Sequence, residues 1–207
     1  GGAYAVEDAV VVLCDLPSTR VLRLDPGAGA PAPITPASAD VRFGGLHLRA
    51  GVLLAVREDH RGEGEPRNAL VRLDLEGPND DFGQVLVTGP DFVLRPALSA
   101  GAAEVAWVEY DHPNMPWDST RLLRARLEPD GLVDVRTVSD AACSAIQPQW
   151  APGGDLWFAS DAGGWWTLHR DGPGGPSPLH GPGADVASPQ WSLGTVDFAV
   201  LDDDRAL

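Results

Sequence analysis

Apolar residues along this chain fall into short runs of about five, each closed by Gly, Pro, Asp or Ser, and no long window carries the i, i+3, i+4, i+7 spacing of an amphipathic helix. The pattern predicts an all-β chain. The runs Ala9–Cys14, Val21–Leu24, Val52–Val56, Leu70–Leu75, Val85–Val87, Val105–Tyr110, Leu122–Leu127, Leu156–Ala159, Trp165–His169 and Val196–Leu201 have the usual length of strands.

These strands recur inside a larger unit. Three segments share the order apolar or polar residue, Pro, x, apolar or small residue, Gly turn, then an apolar strand: Leu94 to Gly101, Gln147 to Gly154 and Ser188 to Gly194. Their prolines, Pro96, Pro148 and Pro189, are 52 and then 41 residues apart. A degenerate copy runs from Val41 to Val56. A period of about 40–50 residues with four short strands is the mark of a β-propeller blade. A β-sandwich also spaces its strands by 8–12 residues, but it does not explain the repeated order. The expectation is therefore a partial β-propeller of about four four-stranded antiparallel blades: 1–37 (incomplete), 38–88, 89–138, 139–180 and 181–207 (incomplete). An open arc of blades exposes two apolar faces, which predicts self-association.

Composition narrows the chemistry. The 207 residues hold 30 acidic and 15 basic side chains, all the basic ones Arg, for a net charge of −15. Such a surface repels nucleic acid and anionic membranes. No apolar stretch approaches the ~20 residues of a membrane helix, and no basic leader precedes an apolar segment, so a cytoplasmic location is expected. Cys14 and Cys143 are expected to be free thiols. A phosphate-binding loop of the G-x-x-x-x-G-K-[ST] type needs a Lys that the chain lacks. Asn79-Asp80-Asp81 and Asp202-Asp203-Asp204 lack calcium-loop spacing, and His47, His60, His112, His169 and His180 lack zinc spacing, so neither metal nor cofactor is expected.

Three stretches exceed generic blade chemistry. They are Phe92–Pro96 followed by Val105-Ala106-Trp107-Val108-Glu109-Tyr110-Asp111 and the loop His112-Pro113-Asn114-Met115-Pro116-Trp117-Asp118; Gln147-Pro148-Gln149-Trp150; and Asp161-Ala162-Gly163-Gly164-Trp165-Trp166-Thr167-Leu168. In this order and spacing they resemble the N-terminal propeller of the prolyl oligopeptidase family of serine peptidases, in its acylaminoacyl-peptidase and dipeptidyl-aminopeptidase-like branch. Arg57-Glu58-Asp59-His60 is similar to that branch as well. The chain departs from the family's Ser-Pro-Asp-Gly turns at Ser99-Ala100-Gly101, Ala151-Pro152-Gly153-Gly154 and Ser192-Leu193-Gly194. Without the Asp, those turns lack a side chain that caps them.

The resemblance implies a propeller that sits over an α/β-hydrolase domain, admits small peptides and makes some substrate contacts. Catalysis would lie outside this chain, because no G-x-S-x-G nucleophile elbow occurs; Gly175-Pro176-Ser177-Pro178-Leu179 lacks the second Gly. The alternative is a stand-alone Tol-type propeller that binds proteins. A third reading, a lactonase-like propeller enzyme, needs an axial metal set that the sequence does not cluster. Candidate contacts to substrate or partner are Arg57, Glu58, Asp59, His112, Asn114, Trp117 and Asp118. The 111–120 loop exceeds hairpin length, so His112, Asn114, Trp117 and Asp118 either face the cavity or hydrolase, or plug a blade end. Glu58-Asp59 are either an amine-binding pair or a solvated hairpin tip. Pro96, Trp107, Pro148, Trp150, Trp165, Trp166, Pro189 and Trp191 are assigned to blade structure. If Trp165 and Trp166 lie on a strand they point to opposite faces, and Trp150 and Trp191 hold equivalent repeat positions.

Overall fold

The computed structural model describes residues 1–179 and 183–207; His180 falls outside the described residues. It is all-β, with four antiparallel sheets in chain order and no helix among the described residues. Sheet 1 contains β1 (Tyr4–Glu7), β2 (Val10–Asp15), β3 (Arg20–Leu24) and β4 (Ala32–Pro33). Sheet 2 contains β5 (Val41–Arg49), β6 (Val52–Asp59), β7 (Arg67–Leu73) and β8 (Gln84–Thr88). In sheet 3, β9 (Phe92–Val93) and β10 (Ala97–Leu98) both pair with β11 (Glu104–Tyr110), so they are two halves of one inner strand; β12 (Arg121–Glu128) and β13 (Gly131–Ser139) follow. Sheet 4 contains β14 (Ala145–Trp150), β15 (Leu156–Ser160), β16 (Thr167–Gly172) and β17 (Gly175–Pro178). These are the four expected blades.

The blades stack because their middle strands are apolar on both faces. In a strand, successive side chains point to opposite sides. On β6, Leu53 and Ala55 pack with Val12 and Val21 of sheet 1, whereas Leu54 packs with Val105 and Trp107 of sheet 3. On β11, Ala106, Val108 and Tyr110 turn the other way and join Ile146, Leu156 and Phe158 of sheet 4. The three apolar clusters are thus the three seams between neighbouring sheets. Each seam-facing Leu, Ile or Phe withdrawn from water contributes roughly 1.5–3 kcal/mol.

The seam between sheets 3 and 4 also holds a buried charge. Asp171 on β16 has no exposed surface. It accepts Arg136 from β13 at 2.5 Å and Arg124 from β12 at 3.1 Å. Arg124 also bonds Glu104 at 2.7 Å and lies 4.4 Å from the centre of the Trp150 ring. Thr120 strengthens the same seam: its Oγ1 donates to the Ala145 carbonyl at 2.8 Å and accepts the Ala145 N–H at 2.7 Å.

Two expectations need correction. The run Val196–Leu201 forms no strand of a sheet; only Val200 makes an isolated bridge, to Ala206. Among the described residues no neighbouring strand pairs with it, and its backbone is held by glutamine side chains described below. Residues 4–33, expected to be an incomplete blade, form a sheet of four strands whose outer strand is two residues long. The turns without Asp close by other means. Ser99 Oγ accepts the Glu104 N–H at 3.0 Å, and Gly154 at φ +97° donates to the Ala151 carbonyl. Cys14 and Cys143 are both free and half-buried, and burial pushes the Cys14 thiol up to about 11.

Replacing Asp171 with Asn leaves Arg124 facing a neutral amide in the seam. Breaking a buried pair costs about 3–5 kcal/mol, and the lower end applies because Arg136 is half-exposed. The expected result is a urea midpoint lowered by about 3 kcal/mol of stability, whereas an unchanged midpoint contradicts the lock.

Candidate functional site

The inner strands β1, β5, β9–β10 and β14 surround a cavity of about 900 Å³, bordered on its remaining side by residues of the 190–201 segment. All but β1 are irregular at the same level. β5 carries a bulge between Gly44 and His47, and Gly45 adopts φ +56°. The inner strand of sheet 3 breaks across Leu94, Arg95 and Pro96, where the proline has no N–H to give to the ladder. β14 bulges between Ile146 and Gln149, with Gln147 at φ +56°. Left-handed backbone at a residue with a Cβ costs roughly 1–2 kcal/mol. Bulges re-aim side chains, and here they turn residues toward the axis.

Gln147 and Gln149 show what the irregularity achieves. Gln147 Nε2 donates to Asp197 at 2.8 Å while its Oε1 accepts the Asp197 N–H at 2.8 Å. Gln149 Nε2 donates to the Phe198 carbonyl at 2.7 Å and its Oε1 accepts the Val200 N–H at 3.2 Å. Two side-chain amides thereby replace a strand ladder and seat the 196–201 segment, with Phe198 buried below it.

At one end the cavity runs into a groove of about 400 Å³. Phe43, Phe92, Tyr110, Met115, Trp117 and Trp191 give it an apolar wall, and Glu58 stands at its rim. Phe92 stacks on Tyr110 at 4.6 Å between ring centres, and Trp117 packs on Trp191 at 4.2 Å with the rings tilted by 40°. Ser144 Oγ donates to the Pro116 carbonyl at 2.5 Å and holds the loop against sheet 4.

The sequence candidates divide over this geometry. Glu58 and Asp59 are the last residues of β6, paired with Asn68 and Arg67, and not a hairpin tip. Glu58 reaches the groove, where it bonds His60 and pairs with Arg42 at 3.7 Å. Asp59 points away and binds Arg61 through both oxygens at 2.9 and 2.6 Å, which lowers its pKa to about 2. Arg57 donates to the carbonyls of Asp81 and Phe82 and stays out of the groove. In the long loop, Trp117 alone of the four candidates lines the groove. Asp118 accepts the Met115 N–H at 2.9 Å, Asn114 donates to the Asp111 carbonyl at 3.3 Å, and exposed His112 sets its ring edge on Phe92; all three shape the loop.

The blade tryptophans also differ from one another. Trp107 is buried in the seam between sheets 2 and 3. Trp150 donates to the Ala97 carbonyl at 3.0 Å across the next seam. Trp191, its repeat counterpart, is 77% exposed because no sheet forms around it. Trp165 and Trp166 precede β16; Trp166 is buried in the sheet 4 cluster and Trp165 is exposed. Pro96, Pro148 and Gln190 line the cavity.

Sequence reasoning did not single out His47, Arg49 or Arg95 as site residues; His47 and Arg49 line the cavity from β5 and Arg95 from the break between β9 and β10. The signals were the Gly44-Gly45 pair and the Arg95-Pro96 step, both marks of a disrupted ladder. His47 is largely buried, and burial, reinforced by Arg95 and Arg49 and opposed by Glu7, lowers its pKa to about 4.

Four antiparallel sheets around one axial cavity define a β-propeller arrangement. No family model matches the sequence, and no curated protein matches it. Among solved structures, a puromycin-hydrolysing peptidase from Mycobacterium tuberculosis is 32% identical over the whole of this chain and 35% of its own, with a TM-score of 0.87. A puromycin hydrolase is 32% identical over 96% of this chain and 33% of its own, with a TM-score of 0.84. TolB from Acinetobacter baumannii shares the fold alone, at 17% identity and a TM-score of 0.54 over 85% of this chain and 42% of its own. The chain is an N-terminal propeller of the prolyl oligopeptidase family. It spans about a third of the length of the peptidases it matches.

Folding favours the neutral form of His47. Its folded pKa of about 4 lies below the unfolded value of about 6.5, so the unfolded chain binds more protons between these values and stability falls as pH drops through them. The loss reaches about 3 kcal/mol. The difference in unfolding free energy between wild type and His47→Gln should be constant above pH 7 and move by about that amount against the wild type by pH 4; a pH-independent difference contradicts this.

Proposed function

We propose that this propeller gates and selects peptide substrates for an α/β-hydrolase domain, as the non-catalytic part of a serine exo- or oligopeptidase. The observation that carries the reading is the aromatic groove at the end of the cavity. There the loop that resembles the peptidase branch contributes Trp117, and Glu58 offers an anionic rim to a free peptide N-terminus. Asp59 is neutralised by Arg61, so Glu58 acts alone rather than as a pair. Arg42 and His60 hold the Glu58 carboxylate in the absence of an amine. A Tol-type scaffold role is supported only by a 17% identical fold relative, against 32% for the peptidases.

In the peptidase that contains this propeller, Glu58→Gln should raise KM for peptides with a free amino terminus roughly ten-fold and leave kcat unchanged, since a charge-assisted hydrogen bond contributes about 1.5–3 kcal/mol. Equal KM changes for N-acetylated peptides would remove Glu58 from amine recognition. The 207-residue chain alone should neither cleave aminoacyl anilides nor react with a fluorophosphonate; turnover that survives repurification and is blocked by that reagent would overturn the non-catalytic reading.

The outer face of sheet 1 fits the same picture. Tyr4, Val6, Val11, Leu13, Leu22 and Leu24 share that face by register, and Tyr4 and Val6 are exposed. An apolar blade face needs a cover, which in the isolated chain is a second copy. Light scattering should show a mass above the monomer that returns to monomer in Val6→Glu; a monomeric wild type at high concentration contradicts the pairing.

A further inference from the structure

The interior of the propeller has the opposite charge character to its surface. The chain carries a net charge of −15, yet among the described residues that line the 900 Å³ cavity there is no Asp or Glu, while half-buried Arg95 and His47 are present, with exposed Arg49 at the cavity edge. Low-dielectric walls focus the field of such groups on the space between them.

Arg95 is the centre of this feature. It sits at the break of the inner strand of sheet 3, in the position that Gln147 holds in sheet 4. Gln147 bonds Asp197, whereas Arg95 makes neither a hydrogen bond nor an ion pair with any described residue, and burial lowers its pKa below the ordinary arginine value. A guanidinium has five donors and stays charged, so leaving it half-buried and unpaired is costly. The neighbouring strand makes room for it. Gly45 packs so close that a Cβ there would lie 3.3 Å from Arg95 Cα. Two residues beyond Gly45, His47 Nε2 is buried and also has no partner.

We propose that Arg95, with His47 beside it, forms a carboxylate-binding site inside the propeller cavity. A guanidinium matches a carboxylate with two parallel hydrogen bonds. One half-buried positive charge compensates one negative charge, which favours a carboxylate over a doubly charged phosphate. The rest of the wall, including Leu94, Pro96, Leu98, Val108 and Trp150, is apolar and suits the body of a short peptide. That a peptide carries the carboxylate rests on the peptidase reading above; the site itself does not. The carboxylate is either the C-terminus of the peptide or an Asp or Glu side chain.

The test is calorimetric titration of the 207-residue chain with acetyl-Ala-Ala-Ala as free acid, with its carboxamide, and with acetyl-Ala-Asp-Ala-amide, alongside succinate. The free acid is expected to bind at least ten-fold more tightly than the carboxamide, and Arg95→Met to abolish that difference. Binding of the Asp peptide at the strength of the free acid assigns recognition to any carboxylate; binding of the free acid alone assigns it to the C-terminus. Binding of succinate without either acidic peptide keeps the site and removes the peptide as its occupant, which separates this proposal from the gating reading. Equal binding of acid and carboxamide, or an unchanged preference in Arg95→Met, overturns the site. Because Arg95→Met removes an unpaired, half-buried charge, it is also expected to raise the urea midpoint. A lowered midpoint would make Arg95 a structural residue and would overturn the proposal.

Discussion

No blade of this protein can satisfy its own middle strands. β6, β7 and β11 are apolar on both faces, so each sheet must be covered twice, and the only covers of the right shape are its neighbours. Everything else follows from that requirement: the stacking in chain order, the three seams, and the convergence of four inner strands on one axis. The buried Asp171 with Arg124 and Arg136 adds orientation to a seam that apolar packing alone would leave free to slide.

The regular parts of this plan are written in local residue patterns. Runs such as Leu53–Val56 and Val105–Val108 are too short for helices and too apolar for half-exposed strands, which marks them as doubly buried. The repeat of Pro96, Pro148 and Pro189 marks the inner strands. The segment from Val196 to Leu201 misled, because its composition is that of a strand while its partner is a pair of glutamine side chains from β14. A residue pattern records what a segment prefers and not whether a neighbouring strand is there to receive it. Trp191 misled for the same reason: it matches Trp150 in the repeat but has no sheet on its other side.

The sites were less legible than the fold because their residues come from separate blades. Glu58 on β6, Trp117 in the 111–120 loop and Trp191 in the 190–201 segment meet only after the sheets stack. Of the acidic pair, Arg61 takes Asp59 and leaves Glu58, a distinction set by which face of β6 each occupies. His47 and Arg95 become neighbours through a bulge and a broken strand, two of the three places where the inner ladder is interrupted. Three of the four inner strands depart from regular β structure beside the axis, and two buried polar atoms without partners, His47 Nε2 and Gln190 Oε1, belong to residues that line the cavity there. Among the described residues the cavity lining carries no acid and includes Arg95, in contrast to the acidic composition of the chain.

The most direct measurement is the reading frame of the source gene downstream of the Leu207 codon. The account predicts further blade-length repeats and then G-x-S-x-G, Asp and His in that order, the layout of an α/β-hydrolase. A frame that ends after a few more blades, without that nucleophile, would contradict the assignment to a serine peptidase and leave a binding propeller.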